Sequence, residues 1–230
     1  REIMLLETRI PEENHPNKLF FAYANTVATI DFAKKYKGHG WMGIRYHISP
    51  EEPYNEIMIH VRFHQTEARL QQEAIGIMGV NLVYGAFYNY DEPKKIIKHL
   101  YDHIDRSAIE IDTINFSGPV FKGVDNRIMS LLLLKNKMTE AVMFNPQGNN
   151  VLPARVLYKK NILVLRGSFR PVTKVNIDMF KKSYDIFIKE NNVNEHKTEV
   201  IFEITLSNLS AQGEIDESDF MDRAKLLCSL

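Results

Sequence analysis

The turn after Leu165 holds the densest set of residues able to bind an anion: Arg166-Gly167-Ser168-Phe169-Arg170-Pro171-Val172-Thr173. Two guanidiniums, Arg166 and Arg170, can each offer a bidentate fork to phosphate or carboxylate oxygens, which a lysine ammonium cannot. Gly167 lets a ligand approach the backbone, with Ser168 beside it, and Pro171 suits the opening of a helix. A helix starting here presents unpaired amides and a positive dipole end of about half a charge.

Other groupings are weaker. His60 and His64 stand four apart on an expected strand, which would put both on one face, and His39 or His47 could complete a metal site with them. No CxxC or His-Glu-x-x-His spacing supports that. Asp112, Asp125, Asn126 and Arg127 lie around the Ser117-Gly118-Pro119 turn and could hold a substrate or a magnesium ion, although Asp125 also suits a helix cap. Glu203, inside Ile201-Phe202-Glu203-Ile204, would be costly to bury unpaired. Lys159, Lys160, Arg166 and Arg170 make a local basic cluster, but only Tyr158 and Phe169 supply aromatic platforms, so nucleic acid is disfavoured.

Gly167-Ser168-Phe169-Arg170-Pro171-Val172-Thr173-Lys174-Val175-Asn176 resembles the signature of the nicotinamide and nicotinate mononucleotide adenylyltransferases, Gly-Ser-Phe-x-Pro-x-Thr-x-x-His. Gly167, Ser168, Phe169, Pro171 and Thr173 match; Asn176 stands where the family has His and cannot carry positive charge. The resemblance implies a nucleotide-binding protein that transfers an adenylyl group from ATP with Mg2+. Its expected nucleotide and phosphate ligands are Arg166, Gly167, Ser168, Phe169, Arg170, Thr173 and Asn176. In the family the signature opens the chain, whereas here it comes late, and no Ser-x-Thr-x-x-Arg element follows it. The chain as a whole is similar to a group of uncharacterised bacterial proteins. The alternative is a non-catalytic structural or interaction protein in which the same turn merely joins strand to helix.

The elements that must position these residues can be read from periodicity. Asn161 to Leu165 predicts an apolar strand, Val172 to Lys189 a helix, Glu199 to Leu206 a strand and Glu217 to Leu230 a helix. Strand, helix, strand, helix implies a parallel, Rossmann-like unit, with ligands beyond the carboxyl ends of the strands. The earlier part is less regular. Glu56 to Phe63 alternates as a strand, and Thr66 to Phe87 reads as a helix interrupted by Gly76, Gly79 and Gly85, where close packing is the ordinary cause. Pro93 to Ile104 forms a second helix capped by Asp91, Ala108 to Phe116 a strand, Asp125 to Lys135 a helix and Thr139 to Phe144 a short strand. The Asn145-Pro146-Gln147-Gly148 turn marks the boundary. The expectation is an α/β chain, with an α+β domain over 1–150 and a Rossmann-like unit over 151–230 that is truncated at its C-terminus.

Composition narrows the partners. In 230 residues, 29 Lys and Arg balance 29 Asp and Glu, which removes any whole-chain attraction to nucleic acid or anionic membranes. The single Cys228 cannot close an intrachain disulfide, and no aliphatic run is longer than that from Leu131 to Leu134, too short to span a bilayer. A cytoplasmic protein binding a nucleotide or another anionic small molecule is expected. Arg1 in place of Met, and the apolar finish at Leu230, suggest a piece of a longer chain.

Overall fold

Ile57, Ile59, Val61 and Phe63 are almost fully buried, while Met58 and Arg62 between them are not. That alternation makes β3 (Asn55–Phe63) a strand with one face in the core. The computed structural model describes residues 21–229 apart from 34, 50 and 212. Arg1 and Leu230 lie outside the described residues, and so does the reading of the chain ends. The chain divides into two units, Arg1–Val142 and Met143–Leu230.

The first unit is α+β. Its sheet runs β1 (Phe21–Asn25), β2 (His39–Tyr46), β3 and β4 (Ile109–Ser117) in that order, every neighbour antiparallel. Between β3 and β4 come α1 (Ala68–Tyr88) and α2 (Pro93–His99), and α3 (Asn126–Lys135) follows β4. Met42, Ile44, Ile57, Ile59, Met78, Leu82, Ile96, Ile97, Ile114 and Leu133 close one core between these elements. Each such side chain, fully buried, contributes about 1.5–3 kcal/mol.

Gly79 shows why α1 carries glycine. A Cβ there would meet the Tyr23 hydroxyl at 2.7 Å, and one at Gly85 the Ile96 side chain at 3.0 Å, so close packing is the cause at these two, whereas a Cβ at Gly76 would meet nothing within 4 Å. The second helix is shorter than expected and ends at His99; with Pro93 in its first turn, the cap position falls on Glu92 rather than Asp91. Asp125 does cap α3, accepting from the Arg127 amide at 2.9 Å.

In the second unit, β5 (Met143–Phe144) and β6 (Asn150–Val151) form a small antiparallel hairpin closed by residues 145–148. After the short α4 (Pro153–Val156) come β7 (Asn161–Arg166), α5 (Lys174–Phe187) and β8 (Thr198–Glu203). β7 and β8 pair in parallel from Asn161↔Thr198 to Arg166↔Glu203. α6 (Leu206–Leu209) and α7 (Glu217–Cys228) follow. The expected strand and helix order is present, but among the described residues the parallel sheet has two strands, and neither is fully buried. Among the described residues no helix is long and apolar enough to cross a membrane.

Candidate functional site

The turn from β7 into α5 is held from both sides. Arg166 ends β7 opposite Glu203 and donates to that carboxylate from Nε and Nη2, both at 3.0 Å. The Gly167 amide donates to the Glu203 carbonyl at 3.1 Å. Phe169 then takes a positive φ of 48°, which costs a non-glycine residue about 1–2 kcal/mol. Burial of its ring, edge-on to Phe202, offsets that cost. Arg170 Nε lies 3.0 Å from Asp219 Oδ1 on α7.

Asp219 also pairs with Arg223 one turn further along α7. Arg223 is buried, and its Nη1 donates to the Ser168 carbonyl at 3.0 Å and the Asn208 carbonyl at 3.3 Å. Its Nε has no hydrogen-bond partner among the described residues. Arg223 thus fastens the turn to α7 through Ser168. Where α5 begins, Thr173 and Asn176 form a capping box: the Asn176 amide donates to Thr173 Oγ1 at 3.3 Å, and the Thr173 amide to Asn176 Oδ1 at 2.8 Å.

The two arginines therefore have separate partners, Glu203 on β8 and Asp219 on α7, and the polar ends of Thr173 and Asn176 face each other. No family model, no curated protein and no solved structure matches this chain.

A second constellation lies in the first unit, on the face of the sheet opposite Ile57 and Ile59. His60 Nδ1 is 2.8 Å from Asp112 Oδ1, and both residues are buried. Asp112 Oδ2 lies 3.5 Å from Arg62 Nε, and Arg62 Nη2 donates to Glu110 Oε2 at 2.6 Å. Thr139 Oγ1 donates to the other Glu110 oxygen, also at 2.6 Å. Burial alone would push the Glu110 carboxyl up, but the hydrogen bonds from Thr139 and Arg62, with the Arg62 charge, hold it below the ordinary range. His39 Nδ1 reaches His60 Nε2 at 3.4 Å, and the Trp41 ring stands edge-on 5.0 Å from His60.

The candidate metal pair is divided. His64 Nε2 lies 3.7 Å from Glu110, whereas His60 goes to Asp112, and among the described residues no group of three His, Cys, Asp or Glu could hold a metal ion. The grouping expected around residues 117–119 also separates. Asp112 turns to His60 and Arg62, Asp125 caps α3 and pairs with Arg127, and the Asn126 side chain bonds the Phe116 amide and carbonyl.

Arg223, Glu110 and Thr139 escaped the sequence reading, and so did the placement of Asp112. Arg223 was signalled only by its spacing of four from Asp219 on an expected helix. The placement of Asp112 follows from a bulge, since His60 pairs with Thr113 and Val61 with Ile111, leaving Asp112 between them. The core positions of β4 record it: Ile109 and Ile111 are two apart, but Ile114 follows after three.

Proposed function

We propose that the second unit binds a phosphate-bearing nucleotide at the turn from β7 to α5, in a Rossmann-like manner. Arg166 and Arg170 are the phosphate ligands, Gly167, Ser168 and Phe169 the adjoining backbone, and Thr173 and Asn176 the helix start. The observation that carries this reading is a surplus of guanidinium at the carboxyl end of a parallel strand: Arg166, Arg170 and Arg223 face the carboxylates of Glu203 and Asp219. Arg166 is solvent-exposed in its pair with Glu203, and exposed pairs are worth about 0–1 kcal/mol. A polyphosphate can therefore displace Glu203 at little cost, whereas Asp219 is also held by the buried Arg223.

The finer form of the proposal is adenylyl transfer from ATP with Mg2+ in the cytoplasm, acting by positioning and charge stabilisation. Asn176 bears no charge and is engaged with Thr173, so the arginines must supply the stabilisation that the family draws from its His. One observation favours the rival, a structural or interaction role. Arg166, Gly167, Ser168, Arg170, Thr173 and Asn176 all find partners within the second unit, as a turn that only joins two elements would.

Thermal denaturation with ATP or nicotinamide mononucleotide, each with Mg2+, separates the two. Selective stabilisation that disappears in Arg170→Ala supports binding, and an unchanged melting temperature with every nucleotide supports the rival.

A further inference from the structure

The buried histidine and aspartate of the first unit are joined to the surface through a second imidazole. We propose that Asp112, His60 and His39 form a proton relay that makes His39 Nε2 a general base. Its substrates are an attacking water, which carries the ionisable O–H, and a neutral or cationic ester, and the site is separate from the proposed nucleotide site.

The direction of the relay follows from what each atom can do. An ionised Asp112 can only accept, and its two oxygens lie toward His60 Nδ1 and Arg62 Nε. His60 Nδ1 must then carry a proton, which leaves Nε2 of the neutral ring as a lone pair. That lone pair accepts from His39 Nδ1, so the unprotonated nitrogen of the chain is Nε2 of the exposed His39. Proton transfer balances along the chain. Substrate O–H gives its proton to His39 Nε2, the Nδ1 proton of His39 passes to His60 Nε2, and the positive charge comes to rest beside Asp112.

The site is rigidly built. His39 lies on β2 with its amide donating to the Ala28 carbonyl at 2.9 Å and its carbonyl accepting from the Ala28 amide at 3.0 Å. A Cβ at the neighbouring Gly40 would meet Val27 Cα at 2.5 Å, so glycine there admits the strand segment that pins His39. The bulge at Asp112 aims the carboxylate at His60, and bulges commonly re-aim side chains beside active sites. Thr113, opposite His60 in register, is buried, and its hydroxyl has no hydrogen-bond partner among the described residues. A buried hydroxyl left unpaired in a folded protein is a place for a ligand or a water to bond.

Charge selects the substrate class. Glu110, Asp112 and Glu140 all act on Arg62, so carboxylates outnumber the one guanidinium, with His64 at the rim beside Glu110. This surplus favours the positive charge that develops on the relay and opposes an anionic substrate. His99 and Asp102 provide an internal reference, an exposed pair at 2.7 Å with neither burial nor a second imidazole in its hydrogen bond.

The test is hydrolysis of 4-nitrophenyl acetate by the full chain over a range of pH. In that reaction the oxygen of a water bonds to the acetyl carbon as its proton moves to His39, and nitrophenolate leaves with the electron pair of the broken C–O bond. His39→Gln should lower the rate by about a hundredfold, the small end of what general-base catalysis supplies. Asp112→Asn, a change to a positioning residue, should lower the rate and displace the pH profile, and His99→Gln should leave both unchanged. The anionic mono-4-nitrophenyl succinate should react more slowly than the acetate. Equal rates for wild type and His39→Gln overturn the relay, and a faster succinate overturns the substrate class. If Asp112→Asn fails to fold, nitrogen-15 correlation spectra of the wild-type histidines decide: His39 and His60 both protonated at Nδ1 support the relay, and His39 protonated at Nε2 overturns it. Neither result depends on whether nucleotides bind the second unit.

Discussion

The turn from β7 to α5 and the polar face of the first sheet both collect charged and nitrogen-bearing side chains, but at opposite depths. The side chains of Arg166 and Arg170 are 66% and 47% exposed, while those of His60 and Asp112 are 3% and 6% exposed. Water screens the Arg166 pair with Glu203, so it exchanges partners at little cost, and a ligand can compete for it. The second pair has lost its hydration and depends on its own geometry. An arginine-rich turn can therefore look more chemical in sequence than a buried His and Asp and yet be less committed in structure.

Breaking the buried side should have the largest effect. Asp112→Ala removes the carboxylate that His60 and Arg62 share, and should cost about 3 kcal/mol in urea unfolding. A loss as small as a surface change would show that water already reaches the pair. Next comes Arg223→Ala, which frees the Ser168 carbonyl and leaves Asp219 with Arg170 alone, at about 2 kcal/mol. Hydrogen exchange at Phe169 and Arg170 should quicken with it; unchanged protection would mean that the Phe169 ring, not Arg223, fixes the turn. Thr173→Ala deletes the cap of α5 and should cost about 1 kcal/mol, visible as a lower urea midpoint. The smallest effect belongs to Arg166→Ala, about 0.5 kcal/mol because the pair with Glu203 is exposed. If Arg166→Ala matched Asp112→Ala in cost, the contrast in depth would have no energetic meaning.

Much of the architecture was legible in the chain. The alternation over residues 56–63, the periodic helix after it, and the order of β7, α5, β8 and α7 all followed from spacing of apolar residues. Boundaries were less so, as with α2, which stops at His99 before the expected Ile104. The arginine-rich turn was located correctly between strand and helix, but its partners were not, because Glu203, Asp219 and Arg223 come from later elements. His60 drew attention as half of a metal pair with His64. Its actual neighbour, Asp112, is 52 positions away and reaches it only because a bulge shifts the register of β4.

By itself the sequence determined that β3, β4, β7 and β8 become strands and α1, α3, α5 and α7 helices, that Asp125 caps α3, and that Asn176 carries no charge. These are local properties, set by side-chain periodicity and by hydrogen bonds spanning two or three residues. Tertiary structure decided which guanidinium meets which carboxylate, that Thr139 and Arg62 share Glu110, and that His39 touches His60. Such pairings depend on strand register and on which elements pack together, and a shift of one residue in register turns a side chain to the other face.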